Sequence, residues 1–152
     1  MSRPGEYIIR PARTQDLPAL TTLLKLLFSI EDDFSFDEPL QRQGLDLLLD
    51  NNQAIILVAE QQGQVIGMCT GQILISTATG GPKVVVEDVV VLPGRQRCGV
   101  GSHLLAELAA WARHRGASRL QLLADRNNLP ALSFYRHQGW QTTRLICLHK
   151  GI

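Results

Sequence analysis

Residues 91–102 read V-L-P-G-R-Q-R-C-G-V-G-S and follow an apolar run from Lys83 to Val90. The pattern predicts a strand that turns on glycine and opens directly into a helix. A strand feeding a helix in this way calls for a right-handed crossover to a parallel neighbour, so the chain must build an α/β sheet. The same stretch has a chemical consequence. The first N–H groups of a helix have no intrahelical acceptor and lie at the positive end of its dipole, which suits a diphosphate. Gly99 and Gly101 would let the main chain approach a ligand closely. The N–H groups from Arg97 to Ser102 would surround it, with Arg95 and Arg97 adding positive charge. Taken alone, the segment also fits a tight turn with no ligand. Two familiar phosphate loops do not match it. No Lys follows Gly101, as a P-loop requires, and the turn comes after four predicted strands, too late for a dinucleotide fingerprint.

Upstream, Tyr7 to Arg10 alternates and predicts a short first strand. Thr14 reads as a helix N-cap with Asp16 in the first turn, and Leu17, Leu20, Leu23, Leu24 and Leu27 recur at helical spacing. Asp37 or Glu38 with Pro39 starts a second helix. Ala54 to Ala59, Val65 to Ser76 and Lys83 to Leu92 are three successive strands, the first two joined by a turn at Gln61–Gln64. Gly99 to Arg115 is a helix ended by Gly116, followed by a strand at Leu120–Ala124. Pro130 to Gln138 is a short helix ended by Gly139, and Arg144 to Leu148 reads as a last strand. The order implies one mixed, mostly antiparallel twisted sheet with helices on both faces.

The 152 residues fit a single domain, residues 1–152, with one sizeable core. A net charge of +1 gives no basis for nucleic-acid or anionic-membrane binding. No apolar run reaches the ~20 residues that span a bilayer, and no apolar signal core opens the chain, so a cytoplasmic location is expected. Cys69, Cys98 and Cys147 are odd in number and widely spaced, against both a disulfide framework and a metal site. Cys69 and Cys147 fall in strand-like runs and are expected to be buried thiols. The four histidines lack metal-ligand spacing, so no metal is expected.

A second constellation, D-R-N-N-L-P-A-L-S-F-Y-R-H-Q-G-W at 125–140, follows the predicted fifth strand. With it the sequence resembles the GNAT superfamily of N-acetyltransferases. That family's signature [Q/R]-x-x-G-x-[G/A], after a strand ending in V-x-P, matches residues 91–101. Its later signature, N-x-x-A-x-x-x-Y-x-x-x-G-[FW], matches Asn128, Ala131, Tyr135, Gly139 and Trp140. The opening I-I-R-P-A is similar to the family's first strand. The resemblance spans nearly the whole chain. It departs mildly at Arg97 and Cys98, where the family often has Gly and Lys.

The resemblance implies a GNAT fold, with the sheet splayed between its fourth and fifth strands and acetyl-coenzyme A in the gap. Backbone groups of Val89, Val90 and Val91 would pair with the pantetheine arm. Gln96, Arg97, Cys98, Gly99, Val100, Gly101 and Ser102 would form the diphosphate turn, and Asn128 would hydrogen-bond near the pantetheine. Tyr135 would protonate the leaving thiolate. The acceptor would be an amine, and a lysine-like amine is neutral in only about one molecule in ~2,500 at pH 7, so a base is needed. Strand alternation puts Glu87 and Asp88 on opposite faces, although a bulge there would shift the phase. Polyamine acetyltransferases carry a similar E-D-x-x-V run, which favours Glu87 as the base with Asp88 the alternate. In this family the segment after the first helix borders the acceptor, so Glu31, Asp32 and Asp33 are the expected substrate contacts. A polyamine, a diamine or an amino-acid-like small molecule would suit them. The family often forms homodimers, but no interface is marked in the sequence. The alternatives are a non-catalytic acyl-CoA-binding module and an enzyme acting on a protein amine.

Overall fold

Alternating apolar residues and paired turns build an antiparallel sheet first. In the computed structural model, which describes residues 5–31 and 35–152, β1 (Ile8–Pro11), β2 (Ala54–Gln61), β3 (Gln64–Ser76) and β4 (Gly81–Val91) pair in sequence order. β5 (Leu120–Leu122) follows β4 in the sheet. It approaches in parallel sense: Val84 N–H donates to the Arg119 carbonyl at 3.0 Å, and Ser118 N–H to that of Pro82 at 3.4 Å. With three residues beside eleven, β5 is outrun by β4 at the Val91 end. The contact clusters form two compact units, Met1–Gln121 and Leu122–Ile152.

In the first unit, α1 (Leu17–Ile30) and α2 (Glu38–Leu49) cover one face of the sheet. Leu17, Leu20, Leu23, Leu24 and Leu45 pack there on Ile56, Val58, Met68 and Val90. Asp37 caps α2 by accepting a hydrogen bond from Leu40 N–H. Thr14 is not a helix cap; it opens a 3-10 turn, Thr14–Asp16, that leads into α1. Asp16 instead ties that turn to the sheet. Its carboxylate accepts from Arg13 N–H at 2.7 Å and from both terminal nitrogens of Arg10 at 2.8 and 3.0 Å, while Arg10 Nε reaches Glu60 at 2.5 Å.

On the other face, α3 (Val100–His114) lies close over β3 because that strand offers glycine where the helix crosses. A Cβ at Gly71 would stand 2.7 Å from Leu108 Cδ1 and 3.1 Å from Val84 Cγ1. Cys69 is buried beneath α3 as expected, and burial pushes its thiol up to about 12.

The second unit carries α4 (Leu129–His137), which starts on Asn128: its side-chain carbonyl accepts from Ala131 N–H at 3.2 Å. The strand expected at Arg144–Leu148 is not formed, and Cys147 is exposed rather than buried. Local β-propensity makes no strand without a neighbour to share its ladder bonds. Here Leu145 N–H turns to the Thr143 hydroxyl instead. Trp140 packs its ring edge-on against Tyr135.

Candidate active site

The centre of the site is an irregularity in β4. Thr70 pairs with Glu87 and Met68 with Val90, so the two residues Asp88 and Val89 face the single residue Cys69. This is a β-bulge, and Asp88 takes it up with φ of 53°. Before the bulge the even residues Val84 and Val86 are buried; after it Val90 packs with the leucines of α1, and Val91 lies beside Gly67 and Leu104 of α3. The alternation has changed phase. The expectation that Glu87 and Asp88 point to opposite faces therefore fails: both line one cavity under α1 and α2.

That cavity has a volume of about 400 Å³, within the range of small-molecule sites. Its floor is Gln72, Glu87 and Asp88 on the sheet. Leu24 and Phe28 of α1 form one wall. α2 forms the other, with Leu40, Leu45, Leu47 and Leu48 interspersed with Gln41 and Gly44, and Asn51 just beyond its end closes it. Glu87 is exposed and Asp88 half-buried. Burial first, and then the charge of neighbouring Glu87, push the Asp88 carboxyl up from 3.8 to about 6; Glu31 adds to the rise. The Thr70 hydroxyl, 3.3 Å from Oδ2, pulls the other way by donating to the carboxylate. Such a group is a proton acceptor with an affinity close to neutrality, as a general base requires. Thr70 was not singled out by sequence; only its place opposite Glu87, one pairing step from the bulge, distinguishes it.

Of the expected acceptor contacts, Glu31 stands at the C-cap of α1 and is electrostatically coupled to Asp88. Asp32 and Asp33 lie outside the described residues.

The predicted turn does open α3. Arg97 and Gly99 both have positive φ, 62° and 81°, and Gly99 is the N-cap. Gly99 has no side chain to cap the first N–H groups of this fifteen-residue helix. Cys98 is exposed, its thiol near the Gln96 carbonyl, and the Gln96 amide folds back onto the Val91 carbonyl at 3.2 Å. Val100 is buried and anchors the helix start, Gly101 and Ser102 form its first turn, and Val89 continues the bulge into this strand end. A main-chain cradle at a glycine-capped helix end, with Arg95 and Arg97 beside it, fits a diphosphate. In the second unit, Asn128 and Tyr135 both belong to α4. Asn128 caps it, and the half-buried Tyr135 ring lies 5.3 Å from that of Phe134 and 5.8 Å from that of Trp140.

Comparison with known proteins bears on the fold and the family. The protein is 28% identical over 137 residues to an uncharacterized N-acetyltransferase, YhfO, of Bacillus subtilis, covering 88% of this chain and 89% of that one. Its fold matches an aminoglycoside acetyltransferase from an uncultured soil metagenomic sample, with a TM-score of 0.79, 23% identity and 96% of each chain covered. It also matches a predicted acetyltransferase of Clostridium acetobutylicum solved with acetyl-CoA, with a TM-score of 0.77, 20% identity, and 95% of this chain and 96% of that one covered. The profile of the acetyltransferase (GNAT) family matches residues 19–140. Strand, bulge, glycine-capped helix and family match agree, and the chain belongs to the GNAT family of acetyltransferases.

Proposed function

We propose that this acetyltransferase moves an acetyl group from acetyl-CoA to the amine of a small molecule held in the cavity between α1, α2 and the sheet, with Asp88 as the general base. The observation that carries the reading is the bulge, which brings Glu87 and Asp88 into one cavity and leaves Asp88 with a proton affinity near neutrality. Glu87, favoured as the base by the sequence, is exposed, and we give it the binding of the incoming ammonium. The small-molecule acceptor is supported by an open cavity of about 400 Å³, and by the activity named for the metagenomic relative.

Bound acetyl-CoA supplies the thioester carbon that the amine attacks and the thiolate that leaves. The chain's residues manage protons and charge around that exchange. Glu87 and Asp88, the latter anionic above about pH 6, draw the cationic amine to the floor of the cavity. Asp88 then takes one ammonium proton, directly or through a water, which frees the nitrogen lone pair. The bulge fixes the direction of its carboxylate, and Thr70 holds Oδ2 in place. The turn from Gln96 to Ser102 anchors the diphosphate through main-chain N–H groups, with Val89–Val91 and Asn128 along the pantetheine. On the strength of the family motif, the Tyr135 hydroxyl is the proton donor to the departing sulfur. Of the two protons lost by the nitrogen, one restores the Tyr135 hydroxyl through water and the other, held by Asp88, passes to solvent.

Thiol release from acetyl-CoA across an amine panel tests the reading. Wild type is expected to release thiol with at least one small amine, and Asp88→Asn to lower kcat by about 10²–10⁴-fold. Binding of acetyl-CoA with no thiol release from any amine would leave an acyl-CoA-binding module.

A further inference from the structure

Charge is unevenly placed in the acceptor cavity. Among its described lining residues the ionisable groups are Glu87 and Asp88, adjacent on one strand. The far wall is apolar: Leu40, Leu47 and Leu48 from α2 face Leu24 and Phe28 from α1, and neutral amides supply the remaining polarity. Leu40 and Leu47 are 60% and 66% exposed, so they present a large apolar area left uncovered among the described residues. Gly44 adds a separate indication. It sits inside α2, where glycine costs roughly 1 kcal/mol relative to alanine, and a Cβ there would meet nothing within 4 Å. Packing does not require this glycine, and it keeps the cavity wall set back.

Resting on the reading above that this cavity receives the acceptor, we propose that the acceptor is a primary amine with one cationic centre and an apolar alkyl or aryl body. The ammonium meets the two carboxylates, and the body lies along Leu24, Phe28, Leu40, Leu47 and Leu48. A second ammonium on the same molecule would leave water for a leucine wall with no counter-charge, which is costly. A hydroxyl-rich polycation would lay most of its hydroxyls on the same leucines, with only the amides of Gln41, Asn51 and Gln72 to pair with them. Each methylene of an apolar body gains by leaving water.

The test compares ethylamine, butylamine and hexylamine with tetramethylenediamine, hexamethylenediamine and an aminoglycoside. Two readouts are used on the full chain: kcat/KM by thiol release with saturating acetyl-CoA, and affinity by calorimetry with CoA bound. The monoamines are expected to rise about threefold per methylene. Hexylamine is expected to exceed hexamethylenediamine by about tenfold or more. A flat series, or a diamine or aminoglycoside matching hexylamine, overturns the proposal and points to the acidic segment from Glu31 to Asp33 as a second cation site. If no amine releases thiol, the calorimetric order still decides. A rising monoamine series then keeps the apolar site and removes the catalytic reading, whereas no binding removes the site. Gly44→Leu gives an independent check, because it improves helix propensity and fills the cavity. It is expected to weaken hexylamine far more than ethylamine, with the thermal midpoint retained. An equal loss for both amines overturns the proposal.

Discussion

Asp16 and Asp88 belong to the same unit, and each is drawn away from water by the strand or turn that carries it. Asp16 receives a two-point contact from the Arg10 guanidinium and a main-chain N–H, which hold its carboxyl below the usual range despite burial. Asp88 receives one hydroxyl, next to another carboxylate, and its carboxyl is pushed up to about 6. The first arrangement has a complete set of partners and fastens β1 to the start of α1. The second lacks a cationic partner among its described contacts and opens on a cavity. A buried carboxylate whose charge is fully matched inside the protein does structural work; one whose charge is opposed by its surroundings has affinity left for a cation from outside.

The largest expected effects separate the two directly. Asp16→Asn removes the main partner of Arg10, which keeps its contact with Glu60, and is expected to cost about 1–3 kcal/mol of stability, read as a fall in the urea midpoint. The acetyl-transfer rate of the folded fraction is expected to stay within about twofold, since Asp16 contributes nothing to the cavity. Asp88→Asn is expected to show the reverse: activity lost, with the midpoint kept at pH 4 and raised above pH 6. Loss of stability in both variants, with equal loss of rate, would erase the distinction.

Their pH dependences should run in opposite senses. Asp16 has a folded pKa below its unfolded value, so its contribution is present above about pH 4 and lost as pH falls through the folded pKa. Asp88 has a folded pKa raised from 3.8 to about 6, so protonation favours the folded state. Its contribution is fully present below about pH 4 and lost as pH rises through about 6, a difference of up to about 3 kcal/mol. Asp88→Asn should therefore gain stability over wild type at pH 8 and match it at pH 4. Stability curves of the two variants against pH measure this; parallel curves would contradict it.

Much of this contrast was hidden in the sequence, and the reason is physical. Helix caps and glycine turns are local, so Asp37, Gly99 and Gly116 were legible from their neighbours. The family motif gave the turn and α4 together. The bulge was not legible, because D-V-V-V reads as an unbroken strand and nothing local marks which residue takes positive φ. Its effect, two carboxylates on one face, depends on how β3 and β4 register. The role of Asp16 was equally out of reach, since Arg10 and Glu60 meet it only after β1 and β2 pair. The expected strand at 144–148 failed for a related reason: a strand depends on its neighbour, and no residue within the segment specifies one.

A smaller change probes how Asp88 is tuned. Thr70 is buried, and its hydroxyl lowers the Asp88 pKa against the effect of burial. Thr70→Val keeps the shape and removes that hydrogen bond, so the acid limb of kcat/KM, set near pH 6 by Asp88, is expected to move up by about half a unit to one unit. A limb that stays in place would mean that another group titrates.

The smallest expected effect concerns a third aspartate, which brackets the other two. Asp37 is exposed and accepts one hydrogen bond, from Leu40 N–H, at the start of α2. It has neither the guanidinium of Asp16 nor the low-dielectric setting of Asp88. Removing it should cost no more than an ordinary helix cap, about 1 kcal/mol. Because α2 forms the cavity wall from Leu40 to Leu48, fraying of its first turn loosens Leu40 before the carboxylate floor. Asp37→Ala is therefore expected to raise KM for an amine with a long apolar body by a few-fold, with kcat and the acid limb unchanged. A change in kcat would mean that the first turn of α2 reaches the reacting groups, and that wall and floor of the cavity are not independent.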